Sequence, residues 1–272
     1  MARFDFEGLP MHYESHGAGA PILLLNGIFM SCASWKWFVP SFSAQNQLLL
    51  LDLADQGISG KVDHEYTLEM QERAVIALLD HLGLAKTNIC GFSYGGEIAM
   101  RLAARYPQRI GKLVLSNTTA NTGFWLASVG HSWEAALSSH DGRQFFAACI
   151  PSAYSPGFFT KHEKWARMQE DMYERLLTPQ VCDAYARLTR SAEFHDERAN
   201  LKNIKAETLV ISSQWDFITP LPCQQEIVQA IAAATHVIIP DAGHTVVYEK
   251  PTEFASLVLG FVNNDSAGID ID

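Results

Sequence analysis

Gly91-Phe92-Ser93-Tyr94-Gly95 constrains this chain more than any other stretch. Before it, Thr87-Asn88-Ile89-Cys90 reads as a short buried strand. After it, Glu97 to Tyr106 puts Ile98, Ala99, Leu102 and Ala103 on one face at helical spacing. Strand, tight turn and helix with a serine at the apex make a nucleophile elbow. A serine hydroxyl is a weak nucleophile and needs exposure, a base and an anion-stabilising pocket. Small residues on either side let the chain turn sharply, and the turn sets the Tyr94 amide at a helix N-terminus, where it can face an oxyanion.

The rest of the chain alternates strands with helices, which predicts an α/β fold with a mostly parallel sheet covered on both faces. Arg3 to Phe6 and Met11 to Ser15 form an opening hairpin around Gly8 and Pro10. Strands follow at Ile22–Leu25, Leu48–Leu51, Thr87–Cys90, Lys112–Ser116, Thr208–Ser212 and Val237–Ile239, eight in all with the hairpin. Helices are predicted at Leu68–Leu82, Glu97–Tyr106, Gln224–Ala233 and Thr252–Val262, with Gly83 closing the first. The interval 119–206 breaks the alternation. It is rich in aromatics, and helical periodicity recurs at 131–139, 142–149, 160–177 and 179–191. The expected organisation is a core of 1–118 and 207–272 with a helical cap of 119–206 over the strand ends. The polar tail from Asn263 to Asp272 is expected to fray.

Composition narrows the function classes. With 48% apolar and 18% charged residues over 272 positions, a sizeable core can be buried. The net charge of -10 with no long basic run argues against nucleic acid and against anionic membrane surfaces. No stretch is long enough to span a bilayer, and the acidic N-terminus does not read as a signal peptide. Five cysteines without a C-x-x-C pair argue against disulfides and zinc. The expectation is a cytoplasmic monomer or homodimer with a small-molecule acyl substrate and no metal or cofactor.

A serine alone proves little. Its base should be a histidine after a late strand, with an acid earlier in the chain. Asp216 follows the strand at 208–212, and His244 follows the strand at 237–239. Ser93, Asp216 and His244 thus all sit just past the carboxyl ends of strands, the edge where open parallel sheets bind ligands. His244 would take the serine proton, and Asp216 would orient the imidazole and stabilise its cation. Asp241 is nearer to His244 in sequence, but it shares the same short loop and is expected to cap that turn. The amide of Ile28, after the first buried parallel strand, is the second oxyanion donor beside that of Tyr94. Asn26, Phe29, Trp125, Trp133, Phe146, Trp215 and Phe217 are candidate substrate-binding residues, and Cys32 a candidate for the pocket wall.

Asn26-Gly27, the run from Asp52 to Gly57-x-Ser59, the elbow with Gly96, Asp216 with Pro220, and Gly243-His244 resemble the α/β-hydrolase fold family over nearly the whole chain. Two departures stand out. Most relatives carry His-Gly where this chain has Asn26-Gly27, and many carry Asp-x-Arg-Gly-x-Gly-x-Ser where the arginine is missing here. The Asn-Gly loop, the Asp-Leu start and the serine-aromatic-Gly-Gly elbow are also similar, as short motifs, to the rhamnolipid-precursor acyltransferases. The resemblance implies a serine hydrolase acting on an ester, thioester or lactone through an acyl-serine. The alternatives are acyl transfer to an alcohol or hydroxy acid, and a small-molecule receptor with a slow triad.

Overall fold

The computed structural model describes residues 2–264, so the predicted frayed tail lies, from 265 onward, outside the described residues. In chain order the elements are β1 (Ala2–Phe6), β2 (Leu9–His16), β3 (Ala20–Leu25), α1 (Val39–Phe42), β4 (Asn46–Leu51), α2 (Leu68–His81), β5 (Thr87–Phe92), α3 (Tyr94–Arg105) and β6 (Ile110–Ser116). Then come α4 (Phe124–Ser138), α5 (Gly142–Ala153), α6 (Pro156–Lys161), α7 (Glu163–Leu176) and α8 (Pro179–Ser191). The chain closes with β7 (Thr208–Trp215), α9 (Leu221–Ala230), β8 (Ala234–Gly243), α10 (Val246–Glu249) and α11 (Pro251–Asn263).

The eight strands form one sheet in the order β1-β2-β4-β3-β5-β6-β7-β8. The β1–β2 and β2–β4 pairs are antiparallel and the remaining pairs are parallel. Glu7 and Gly8 take φ of 54° and 85°, the left-handed pair that a tight hairpin requires between β1 and β2. Side chains alternate across the sheet. Leu23, Leu25, Leu49, Leu51 and Ile89 pack on one face with α2 and α3 residues such as Leu78 and Ile98. Ile22, Leu24, Leu48, Leu50 and Cys90 pack on the other against Trp35, Phe38, Phe42 and Phe254. This two-sided burial is why the central strands read as continuous apolar runs.

Element edges moved where local chemistry was stronger than periodicity. Helix α3 starts at Tyr94, three residues before the predicted start at Glu97, because Gly95 and Gly96 fill its first turn and carry no apolar periodicity. The predicted helix at 160–177 is two helices broken at His162, and the first starts earlier, at the Ser155 cap with Pro156 following. Helix α9 starts at Leu221 because Pro222 opens it, and it ends at Ala230. Among the described residues no helix is long and apolar enough to cross a membrane.

Helices α4 to α8 stand between β6 and β7 and are tied to the rest of the molecule by polar contacts. Arg187 of α8 makes two hydrogen bonds to Asp55, at 3.0 and 2.9 Å. The Tyr94 hydroxyl meets Ser191 Oγ at 2.7 Å. Arg101 and Arg105 of α3 both donate to Glu197, which follows α8, at 2.8 and 2.7 Å.

Candidate active site

Ser93 is held in a conformation that side-chain-bearing residues rarely adopt, with φ 53° and ψ -119° between β5 and α3. Close packing enforces it. A Cβ on Gly91 would run into the backbone of Gly95 and Gly96, and one on Gly95 into the carbonyls of Leu25 and Asn26. Only glycine lets strand, turn and helix approach this closely. The Ser93 amide donates to the Ser116 carbonyl at 2.9 Å, and Thr118 Oγ1 donates to the Ser93 carbonyl at 2.8 Å. The turn is therefore fastened to the end of β6.

His244 and Asp216 arrive from the loops after β8 and β7 and meet Ser93. His244 Nε2 lies 2.9 Å from Ser93 Oγ. Its Nδ1 lies 3.0 and 2.9 Å from the two oxygens of Asp216. A carboxylate beside Nδ1 places the ring proton there, which leaves Nε2 to accept from the serine hydroxyl. Asp216 is almost fully buried, and its loop wraps around it. The amides of Ile218 and Thr219 donate to Oδ1 at 2.9 Å each. Thr219 Oγ1 and Asn117 Nδ2 donate to Oδ2, also at 2.9 Å each. Burial by itself would raise this carboxyl, but the His244 charge and hydrogen bond, with the Asn117 and Thr219 donors, outweigh it and hold the carboxyl below its usual range. Asp241 has no part in this. It takes φ 52° in the turn, and its amide is bonded to Gln214.

Ser93, Tyr94 and Ile28 line one cavity of about 60 Å³, with Trp133, Leu126 and Gly130 from α4, Thr189 from α8, and Ile218 and Thr219 from the Asp216 loop. The loop carrying Ile28 is braced from behind. Asn26 Nδ2 donates to the Leu51 carbonyl at 2.7 Å and to Gln56 Oε1 at 2.9 Å, while Trp35 Nε1 donates to Asn26 Oδ1 at 2.7 Å. Gln56 Nε2 in turn donates to the carbonyls of Gly27 and Ile28 at 2.8 and 3.1 Å. Asn26 is thus corrected from a substrate-binding residue to a fully buried brace, and Gln56 completes the support.

The aromatic candidates separate. Trp133 lines the cavity. Phe29 packs on Trp133, Phe145 and Tyr185 and borders a larger groove on the other side. Phe146 belongs to the interior of the helical layer, packed on Phe159 and Tyr173, and does not face Ser93. Trp125 is 57% exposed, and its Nε1 donates to the Phe217 carbonyl at 3.2 Å, which makes it a clasp between α4 and the Asp216 loop. Trp215 and Phe217, 43% and 42% exposed, also lie outside the Ser93 cavity. Cys32 is buried too, its amide bonded to Asp52 Oδ1 at 2.7 Å. Sequence reasoning missed Asn117, Thr219, Gln56 and Glu97. Thr219 was within reach, since it lies three residues after Asp216 in the loop that follows β7, whereas Asn117, just past the end of β6, has no predicted site residue near it in the chain.

One group of metal-type ligands occurs among the described residues, with donor atoms of His12, Glu14 and Cys32 within 4.8 Å of one another. Protein contacts already engage two of its members. His12 Nδ1 donates to Asp52 at 2.9 Å, and Glu14 accepts from His16 at 2.8 Å. Burial, with the Asp52 charge adding to it, keeps Cys32 a thiol.

A parallel sheet interrupted by a glycine-flanked serine turn defines an α/β enzyme built around a nucleophile elbow. Residues 20–251 match the alpha/beta hydrolase fold family, and the chain belongs to it. It is 38% identical to an alpha/beta hydrolase enzyme from a Medee basin deep-sea metagenome library, over 99% of this chain and 100% of that one, with a TM-score of 0.97. It is similar to the enol-lactonase of Burkholderia xenovorans LB400, at 26% identity, 97% and 100% coverage and a TM-score of 0.83. It also resembles the pimeloyl-[acyl-carrier protein] methyl ester esterase of Nitrosomonas europaea, at 26% identity over 90% of this chain and 97% of that protein. The protein is an α/β hydrolase.

Proposed function

We propose that this hydrolase cleaves a carboxylic ester, thioester or lactone of a small, largely apolar substrate through an acyl-serine on Ser93. The observation that carries the reading is the continuous line from Ser93 Oγ through His244 to Asp216, with contacts of 2.9 Å on both sides of the imidazole. His244 removes the hydroxyl proton as Ser93 attacks the carbonyl carbon, then returns it to the leaving oxygen or sulfur. Asp216 keeps the proton on Nδ1 and stabilises the imidazolium. The amides of Ile28 and Tyr94 receive the oxyanion, a donor pair of the kind whose individual members are worth about 10²–10³ in rate. Water activated by His244 then releases the acid. The lactone- and ester-cleaving activities named for the Burkholderia and Nitrosomonas relatives support this class of bond.

The partly enclosed cavity favours a second acceptor, an alcohol or hydroxy acid in place of water on the same acyl-serine. Product analysis with added alcohol separates the two, and free acid alone at every acceptor removes the transfer reading. For the nucleophile, Ser93→Ala is expected to lose p-nitrophenyl ester turnover with an unchanged circular dichroism spectrum. Retained turnover in that variant contradicts the mechanism.

A further inference from the structure

Glu97 lines the same cavity as Ser93, and the hydrolytic chemistry leaves its carboxyl idle. It stands in the first turn of α3, where its amide donates to the Ser93 carbonyl at 3.3 Å. The residue is 4% exposed and its Oε2 is fully enclosed, without a hydrogen-bond partner. Arg101, four residues along the helix, is the partner that helical spacing would offer. It turns away to Glu72 and Glu197, at 2.8 Å each. Burial, with nothing opposing it, lifts the Glu97 carboxyl well above its usual range, which favours the protonated form that can both donate and accept. Leaving such a group unsatisfied in a closed site is costly unless something else fills its hydrogen bonds.

The cavity indicates what that partner is. Among the described residues no arginine or lysine lines it and His131 is its one basic side chain, while Glu193 lines it together with Glu134, the latter paired with Arg190 at 3.1 Å, which disfavours an anion. A cation would require Glu97 to ionise where burial opposes it. An uncharged oxygen requires neither. We infer that Glu97 is a specificity-determining residue whose carboxyl hydrogen-bonds an uncharged carbonyl or hydroxyl oxygen on the substrate, a few bonds from the carbonyl that Ser93 attacks. The inference rests on the proposed role of Ser93. It makes the pocket selective for short oxygenated chains over plain alkyl ones, since a buried polar group discriminates strongly against a substrate that leaves it unpaired.

Two ester pairs test it. Phenyl 4-oxopentanoate against phenyl pentanoate reports the acyl side, and 3-oxobutyl acetate against butyl acetate the leaving-group side. In the wild-type enzyme one pair should favour the oxo ester by about 10-fold in kcat/KM. Glu97→Leu should bring that ratio close to one, with Glu97→Met as a second apolar variant, whereas Glu97→Gln, whose amide still donates, should keep most of it. The apolar variants should also melt higher, having lost an unpaired buried carboxyl. Calorimetric binding of the same esters in a Ser93→Ala background reads the preference without turnover. If the wild-type enzyme hydrolyses no ester, the role of Ser93 fails, and the binding ratios with and without Glu97 still decide this inference. Equal ratios in wild type and Glu97→Leu for both pairs overturn it. So does a preference for phenyl 4-(trimethylammonio)butanoate that disappears in Glu97→Gln, which would mark a cation site instead.

Discussion

At the scale of single residues, the hydrogen bonds around Asp216 do more than hold a side chain in place. Four donors besides His244 converge on its two oxygens, so the carboxylate is fixed in position and kept ionised as well. Asp216→Asn preserves the shape and the Asn117 and Thr219 neighbourhood, but it invites the imidazole into the wrong tautomer. Steady-state kinetics on a p-nitrophenyl ester should show kcat lowered by about 10³–10⁴-fold with little change in melting temperature. A loss under tenfold would mean that Asp216 only supports the loop. Ser93, Asp216 and His244 were legible in the sequence because each follows an apolar strand, and the strand ends converge by topology. Which large side chains face Ser93 was not legible. Phe146 and Trp125 are aromatic for other reasons, one filling the interior of the helical layer and the other clasping a backbone carbonyl. Glu97 is the opposite case: Arg101, four residues further along the helix, bonds Glu72 and Glu197, both distant in sequence, and leaves the carboxyl alone.

At the scale of elements, α4–α8 are tied to the rest of the molecule by polar side-chain contacts. Arg187 of α8 is 15% exposed at its side chain, and its partner Asp55 is 0% exposed. Removing one member of a buried pair strands the other, which typically costs about 3–5 kcal/mol. Arg187→Met should therefore lower urea stability by about that amount, and adding Asp55→Asn should recover part of it. An additive double mutant would show that the pair does not hold the helices down. The segment after α8 carries a second test. His195 is buried and its Nε2 donates to the Thr119 carbonyl at 3.1 Å, while Nδ1 has no partner. Desolvation pulls the imidazole down to about 4. Between that value and the ordinary 6.5 the unfolded chain binds the extra proton, so stability falls as pH drops through this window. His195→Gln should flatten the melting temperature between pH 6.5 and 4, and an unchanged slope would exclude His195 as the source. The strands and α2 were readable from apolar alternation and periodicity, whereas the break at His162 was not. Periodicity runs on across 160–177, and the capping serine and proline that start α6 precede that window.

At the scale of the whole molecule, one arrangement connects sheet, loops and helical layer. Parallel strands end on the same edge, close-packed glycines shape the Ser93 turn there, and the loops after β7 and β8 bring Asp216 and His244 to it. In the loop at 26–28, Asn26 is held by Trp35 and Gln56, Gln56 also bonds the Gly27 and Ile28 carbonyls, and Ile28 lines the Ser93 cavity. This assembly is expected to make one serine among all those in the chain reactive. A fluorophosphonate probe, with the adduct mapped by mass spectrometry, tests it most directly. A single adduct is expected on Ser93, absent from a folded His244→Ala variant. Labelling at another residue, or an unlabelled Ser93 in protein that still hydrolyses esters, would contradict it.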